Sequence, residues 1–287
     1  MTAPGGAHLL AISDLHVGYA ENHEIVEALR PETDGDWLIV AGDVAERFAD
    51  ITWALRTLKQ QFDTVIWLPG NHELWTHPSD PVQLRGEERY RRLVEEVRAL
   101  GVITPEDPYP LWEGPRGPVA VVPMFLLYDY TWRAGTPGAT TKEAALAQSQ
   151  DLGVVCTDEH FLHPDPLPGL DDWCRARVAA TELRLEALDP ELPTVLANHW
   201  PLHPEPTEIL RYPSFALWCG TEQTEQWHTR FRATEVVYGH LHIPRTIWRD
   251  GVRFTEVSLG YPREWGSRQK PPEGPRRILA GPAGTAG

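Results

Sequence analysis

"TVIWLPGNHELW", residues 64–75, is the stretch that decides how the chain is read. Thr64 to Leu68 is an apolar run of strand length, β-branched and aromatic, of the kind found in sheet interiors. It passes through Pro69-Gly70 directly into Asn71, His72 and Glu73. Three consecutive polar side chains at the end of a buried strand cost free energy unless each finds a partner. Either they form a surface turn or they face something polar at the strand's end. This stretch alone leaves both readings open.

Other apolar runs end the same way. "HLLAIS" (8–13) leads into Asp14-Leu15-His16 and "WLIVA" (37–41) into Gly42-Asp43. "TVLAN" (194–198) leads into His199, and "EVVYG" (235–239) into His240-Leu241-His242. Five strands thus deliver carboxylate, amide or imidazole groups at their carboxyl ends, the edge where open α/β sheets bind ligands. One such ending is a turn; five make a site. Two Asp, one Asn and four His supply oxygen and nitrogen donors without thiolate, a set suited to Mn²⁺, Fe or Zn²⁺. Seven donors exceed what one tetrahedral zinc takes, so a pair of metals sharing one carboxylate fits the count better. Gly42, Gly70 and Gly239 are read as the points where the backbone turns sharply into the ligands.

Between the strands lie helical patterns. Asp50 is placed as the N-cap of a helix whose Ile51, Ala54, Leu55, Leu58 and Phe62 share a face. In "LRGEERYRRLVEEVRALG" (84–101), Tyr90, Leu93, Val94, Val97 and Leu100 form the apolar stripe and Gly101 the C-terminal stop. A third helix is expected over about 171–188, ended by Pro190. "VAVVPM" (119–124) is a further strand, and "RTIWRDGVRFTEV" (245–257) a hairpin turning at Asp250-Gly251. The first half alternates strand and helix, which predicts α/β layering, and the second half adds a mixed or second sheet. Segments 125–170 and 200–222 are irregular and are expected to cover the cleft. They carry Tyr128, Tyr130, Trp132, Tyr212 and Trp218. The organisation expected is one domain over 1–265 and a flexible Gly/Pro-rich tail over 266–287.

Composition narrows the function. The chain has 287 residues, 41% of them apolar, and a formal charge of −15. That charge opposes binding through nucleic-acid phosphates, so no nucleic-acid partner is expected. No apolar run is long enough to span a bilayer, and the N-terminus carries no basic, signal-like segment. Cys156, Cys174 and Cys219 have no paired spacing and are read as reduced thiols of a cytoplasmic protein.

The series Asp14-x-His16, Gly42-Asp43, Gly70-Asn71-His72-Glu73, His199 and Gly239-His240-x-His242 resembles the five-block signature of the calcineurin-like metallophosphoesterases, in that family's order. The resemblance implies a four-layer sandwich, two mixed β-sheets flanked by helices. It also implies a two-metal site, with one ion on Asp14, His16, Asp43 and His242. The other ion would lie on Asn71, His199, His240 and the bridging Asp43. A hydroxide between the metals would attack phosphorus in line. His72 matches the family's phosphate-contacting histidine, which stabilises charge or protonates the leaving oxygen. Glu46 and Glu73 are expected to orient a ligand histidine. The histidines outside the blocks (His8, His23, His77, His160, His163, His203, His228) are read as surface residues. His23 and His203 are the two that could line the pocket. Trp75 and Trp200 are candidates to wall the cleft.

A narrower resemblance follows from "DWLIVAGDVAER" (36–47), "VIWLPGNHELW" (65–75), "VPMFLLYDY" (122–130), "YGHLHIPRT" (238–246) and "VSLGYPREW" (257–265). These are similar to an actinobacterial subgroup of the family that includes a 4′-phosphopantetheinyl hydrolase. That implies a phosphodiesterase acting on holo acyl carrier protein. Alternatives are a general phosphomonoesterase or phosphodiesterase of small molecules, or a non-catalytic scaffold of the same fold. Arg263 is a candidate clamp for the phosphate. Arg268, Lys270, Arg276 and Arg277 are candidates to offset repulsion of an acidic carrier.

Overall fold

The computed structural model describes residues 6–266 and 274–281. In its first half it places β1 (Leu9–Ile12), α1 (Ala20–Ala28), β2 (Trp37–Val40), α2 (Phe48–Gln61), β3 (Thr64–Trp67), α3 (Asn71–Leu74) and α4 (Gly86–Ala99). β4 (Leu111–Gly114), β5 (Gly117–Pro123), α5 (Lys142–Asp151), α6 (Asp158–Phe161) and α7 (Leu170–Glu186) follow. β6 (Thr194–Ala197) leads through short 3₁₀ turns to α8 (Trp227–Arg230) and β7 (Ala233–Tyr238). β8 (Thr246–Arg249), β9 (Val252–Glu256), α9 (Pro262–Gly266) and β10 (Arg276–Leu279) complete the order.

The strands form two mixed sheets, β10-β1-β2-β3 and β4-β5-β6-β7-β9-β8. β10, β4 and β8 run antiparallel to their neighbours and the rest are parallel. Strand alternation divides the interior in two. Leu9, Ala11, Ile39, Ala41 and Ile66 face the second sheet, where Val121, Val195, Ala197 and Val237 meet them. Leu10, Ile12, Leu38, Val40 and Val65 face outward beneath Ile51, Leu55 and Leu58 of α2 and Leu93 and Val97 of α4. Strands buried on both faces read as continuous apolar runs rather than alternating ones, which is why they stood out in the sequence. The fold is the expected α/β sandwich of two mixed sheets flanked by helices.

Three local expectations are corrected. α2 begins at Phe48, not after Asp50: Asp80, distant in sequence, accepts the Phe48 amide (3.3 Å), while Asp50 pairs with Arg47 (2.6 Å) inside the first turn. Segment 125–170 is not irregular throughout. Thr141 caps α5 by accepting the Ala144 amide (3.2 Å), but only Ala145 and Ser149 of that helix are buried, so it lacks the stripe that betrays a helix. The expected tail contains β10, which pairs with β1 at Leu9↔Leu279 and Ala11↔Arg276. It buries Ile278 and covers an edge that would otherwise be open. Arg276 and Arg277 therefore belong to the sheet, whereas Arg268 and Lys270 lie outside the described residues. The hairpin turns as expected, with Asp250 at φ 49° and Gly251 at φ 78°, the two left-handed residues that a tight two-residue turn needs. No helix among the described residues is long and apolar enough to cross a membrane.

Candidate functional site

The carboxyl ends of β1, β2, β3, β6 and β7 meet at one end of the sandwich, where the backbone is unusual. Asp14, His16, Asp43, His240 and His242 all lie in the left-handed region, with φ of 53°, 42°, 53°, 70° and 53°. Such residues each cost about 1 kcal/mol or more and persist only where surrounding contacts enforce them. Here the contacts are explicit. Asp14 N donates to Gly42 O (2.8 Å) and His16 N to Asp43 O (3.0 Å), locking the two turns together. A bridge between Ser13 and Ser258 joins the sheets at this point, and Gly260 N donates to Asp14 O (3.1 Å). Gly42 serves both turn and space: its φ is +88°, and a Cβ there would lie 2.5 Å from Gly70 N and 2.7 Å from His199 Nδ1. Gly239 is required for room rather than for a turn, since a Cβ would meet Asp14 Oδ2 at 2.3 Å.

The hydrogen bonds around His199 bring donor lone pairs to face one another. His199 Nδ1 must donate to the Ala41 carbonyl (2.9 Å), because a carbonyl only accepts. Asn71 Nδ2 donates to Asp158 Oδ1 (2.9 Å), which turns the amide oxygen toward His199 Nε2, 3.2 Å away. Asp43 Oδ2 lies 3.4 Å from the same Nε2. Three lone pairs converge with no obligatory proton between them. Either a cation or a proton on Nε2 relieves this. Burial opposes that proton, but Asp43 alongside and Asp14 nearby outweigh it and raise the imidazole to about 9. Beside it, His240 Nε2 is buried without a hydrogen-bond partner, and burial together with His199 holds that ring near 3. A buried orphan lone pair of this kind fits a metal.

The second convergence mirrors the first. His242 Nδ1 rests on Glu264 Oε2 (2.7 Å), leaving Nε2 2.9 Å from Asp14 Oδ1 and 3.3 Å from His16 Nε2. Donor atoms of Asp14, His16, Asp43 and His242 all lie within 4.8 Å of one another. Burial, with His72 nearby, keeps His16 neutral near pKa 3. Burial would raise the Asp14 carboxyl, but His242 holds it well below the usual range. Asp43 stands between the groups, with Oδ2 3.4 Å from His199 and 4.0 Å from His16. Asp14, His16, Asp43 and His242 therefore form a donor cluster suited to a cation, with His199 and Asn71 next to Asp43.

His72 sits apart from this ligand geometry. Its Nδ1 is engaged by Glu46 Oε1 (2.7 Å) and its ring stacks on Trp75 (3.8 Å between centroids). Nε2 points into the cleft, 3.7 Å from Asp43 Oδ2 and 3.5 Å from the Tyr261 hydroxyl. Glu46 thus orients a histidine, but it is His72 rather than one of the expected ligand histidines. Glu73 does not: it accepts the amides of Asp43 (2.9 Å), Val44 (3.0 Å) and Gly70 (2.9 Å) and so fixes the turns themselves. Arg89, wholly buried, donates to the carbonyls of Glu73 (2.6 Å) and Glu46 (2.7 Å) and pairs with Asp80 (3.0 Å). Removing one partner of a buried ion pair leaves an uncompensated charge. Asp80→Ala is therefore expected to destabilise the fold by about 3–5 kcal/mol in urea titration. A loss under about 1 kcal/mol would show that the pair does not brace these loops.

Other expected residues fall elsewhere. Arg263 is exposed, with its guanidinium 4.9 Å from the centre of the Tyr261 ring, and does not line the cleft. Trp75 does line it, whereas Trp200 is buried behind His240 (5.8 Å). Tyr128 donates to Asp158 (3.0 Å), while Tyr130 (3.1 Å) and Trp218 (2.7 Å) donate to Glu159. These aromatics brace the loop behind the cleft rather than cover it, and Tyr212 is exposed. His203 and His228 are buried rather than superficial, with His228 tied to Asp250 (2.9 Å). His23 stacks on Trp53 (3.6 Å) away from the cleft. Sequence reading missed Asp158, which orients Asn71 and Trp75 (2.7 Å to its Nε1), and Ser258, which donates to Asp14 Oδ2 (2.7 Å). It also missed Tyr261, stacked on His16 (4.3 Å). Tyr261 lies in the stretch that Arg263 marks, where no signal singles out the tyrosine itself.

Comparison with known proteins agrees with this geometry. Residues 7–244 match the calcineurin-like phosphoesterase family. The chain is 54% identical over 274 residues to the acyl-carrier-protein phosphodiesterase PptH of Mycobacterium tuberculosis, covering 96% of this chain and 84% of that one. Against the crystal structure of phosphopantetheinyl hydrolase PptH from the same organism, the TM-score is 0.93 at 52% identity, covering 100% of both chains. The family together with the His/Asp cluster indicates a dinuclear metal site. A chain whose five strand ends converge on two cation-seeking donor sets belongs to the calcineurin-like phosphoesterases, hydrolases of phosphoester bonds.

Proposed function

We propose that this protein is a cytoplasmic metal-dependent phosphodiesterase that releases 4′-phosphopantetheine from the serine of holo acyl carrier protein. The supporting observation is near-full-length likeness to PptH in a chain whose donor geometry suits two cations. We assign Asp14, His16, Asp43 and His242 to one ion, and Asn71, His199, His240 and Asp43 to the other. The all-oxygen-and-nitrogen donor set favours Mn²⁺ or Fe, with Zn²⁺ as the alternative. Cys156 lines the cleft, but burial raises its thiol well above the usual range, so it offers no thiolate.

When bound, such a metal pair lowers the pKa of a water and clamps phosphoryl oxygens. Every other task falls to side chains. Asn71 is aimed by Asp158, and the cleft wall next to it is Trp75. His72, aligned by Glu46, faces the cleft with Nε2. Burial disfavours its proton, but Asp43 and Glu46 outweigh that and raise its pKa, so the ring can hold a proton for the leaving serine oxygen. Water adds to phosphorus and loses a proton to solvent, the serine O–P bond breaks, the serine takes the His72 proton, and the ring is reprotonated from solvent. The products are apo carrier protein and 4′-phosphopantetheine.

The test is mass spectrometry of holo carrier protein incubated with Mn²⁺-loaded enzyme. Loss of one phosphopantetheine per carrier is expected. Intact carrier alongside rapid turnover of small phosphomonoesters or diesters would leave only the general phosphoesterase reading. Arg276 and Arg277 lie on the edge strand β10, with Arg277 paired to Glu32, so a salt dependence that weakens turnover is expected if they contact the carrier.

A further inference from the structure

We infer that the cleft carries an apolar subsite for the dimethyl-bearing carbon of the phosphopantetheine arm, formed by Val155, Phe215 and Leu241. The inference rests on the carrier-protein reading above and adds a cause of specificity to it.

The cleft, about 250 Å³, is two-sided. Asp43, Asn71, His72 and His242 supply its polar side. On the other side lie Val155, Phe215 and Leu241, all lining the same cavity. Phe215 lies nearly parallel to His240, with centroids 5.9 Å apart and planes 17° apart, so the apolar wall begins at the metal-facing histidine itself. Leu241, between His240 and His242, is 9% exposed, whereas Val155 is 63% exposed. Val155 thus extends the apolar side of the cleft, from Leu241 and Phe215, out to an open rim that an apolar ligand group can cover.

The chemistry of the arm supplies that group. In phosphopantetheine the ester oxygen is followed by a methylene and then by a carbon bearing two methyl groups. Those methyls must therefore lie within a few bonds of phosphorus. If phosphate sits among His240, Asn71 and His72, the methyls can reach the wall formed by Phe215, Leu241 and Val155. A straight ethyl ester could not fill it. Alkyl groups of this size in an apolar pocket change kcat/KM by about 10- to 200-fold.

The test compares two diesters of one serine peptide, one carrying 4′-phosphopantetheine and the other ethyl phosphate. Wild-type enzyme is expected to prefer the former by about tenfold or more in kcat/KM. Val155→Asn, polar but uncharged so that it does not repel the phosphate, should reduce this preference toward unity, chiefly by lowering kcat/KM for the phosphopantetheine diester, with metal content unchanged. Phe215→Ala should act in the same direction. A preference that survives Val155→Asn, or a parallel fall with both diesters, would overturn the subsite. Calorimetric binding of neopentyl phosphate and ethyl phosphate to the metal-loaded protein separates this idea from the carrier reading. If wild type binds neopentyl phosphate more tightly and Val155→Asn loses that advantage, the subsite stands even where holo carrier protein is not cleaved. Equal binding of the two phosphates by wild type overturns it.

Discussion

Asp43→Asn is expected to lower activity by about 10³-fold or more and to reduce bound metal below two ions per chain, the largest effect among the proposed metal ligands. The size follows from position. Asp43 Oδ2 is within 3.4 Å of His199 and 4.0 Å of His16, so it faces both donor groups. Its Oδ1 accepts the His72 amide (3.0 Å), tying the third strand end to the second. Asparagine keeps the size but replaces an anionic acceptor with a neutral amide, and one face of that amide donates. Both cations would lose the carboxylate, whereas loss of any other ligand disturbs one. Metal analysis and turnover of a diester check the two arms together. Near-normal activity with two ions retained would remove Asp43 from the shared position. The same residue raises His199 to about 9 without a cation. A metal must displace that proton, so wild-type metal uptake should release a proton below about pH 9 and strengthen as pH rises toward it. In Asp43→Asn the chief cause of the raised pKa is gone, and the pH dependence of uptake should move to lower pH.

What could be read from the sequence follows from how local each feature is. Strands buried on both faces announce themselves, because Leu9 to Ile12 or Val65 to Trp67 leave no polar interruption. Each ligand sits within a few residues of such a strand's end, so Asp14, Asp43, His199 and His240 were marked by the run that precedes them. Contacts made across the fold carry no such mark. Asp158 reaches Asn71 from 87 positions away and Ser258 reaches Asp14 from 244. Both depend on which loops the sandwich brings together. β10 was read as tail because four residues beginning Arg276-Arg277 carry too little pattern to show that Ile278 is buried. In the same stretch the charge of Arg263 suggests a phosphate clamp, while nothing in the sequence marks Tyr261. Yet the backbone that enters the site at Leu259 and Gly260, bonded to Ser13 and Asp14, sends the tyrosine inward and leaves the arginine on its outer side.

His72→Ala is expected to lower kcat by about 10² to 10⁴-fold while leaving metal content near that of wild type. The separation of the two readouts is what gives the substitution its value. His72 keeps Nδ1 on Glu46 at 2.7 Å, and its Nε2, facing the cleft beside Tyr261, is assigned here to the substrate rather than to a metal. The second grouping of possible donors, His16, Glu46 and His72, consists largely of that hydrogen bond. The ring is held by three contacts with distinct consequences. Glu46 fixes the tautomer, Trp75 packs its face, and its own backbone amide is pinned to Asp43. Alanine removes the proton-bearing ring but keeps the backbone tie, so Asp43 and the metals should remain in place. Glu46→Gln keeps a hydrogen-bonding side chain but removes the charge that supports a protonated ring. It should lower kcat by about tenfold, less than loss of the ring itself. Loss of metal together with activity in His72→Ala would instead move the histidine among the ligands. In that case the leaving serine would need another proton source in the cleft, with Tyr261, 3.5 Å from His72 Nε2, the next residue to replace.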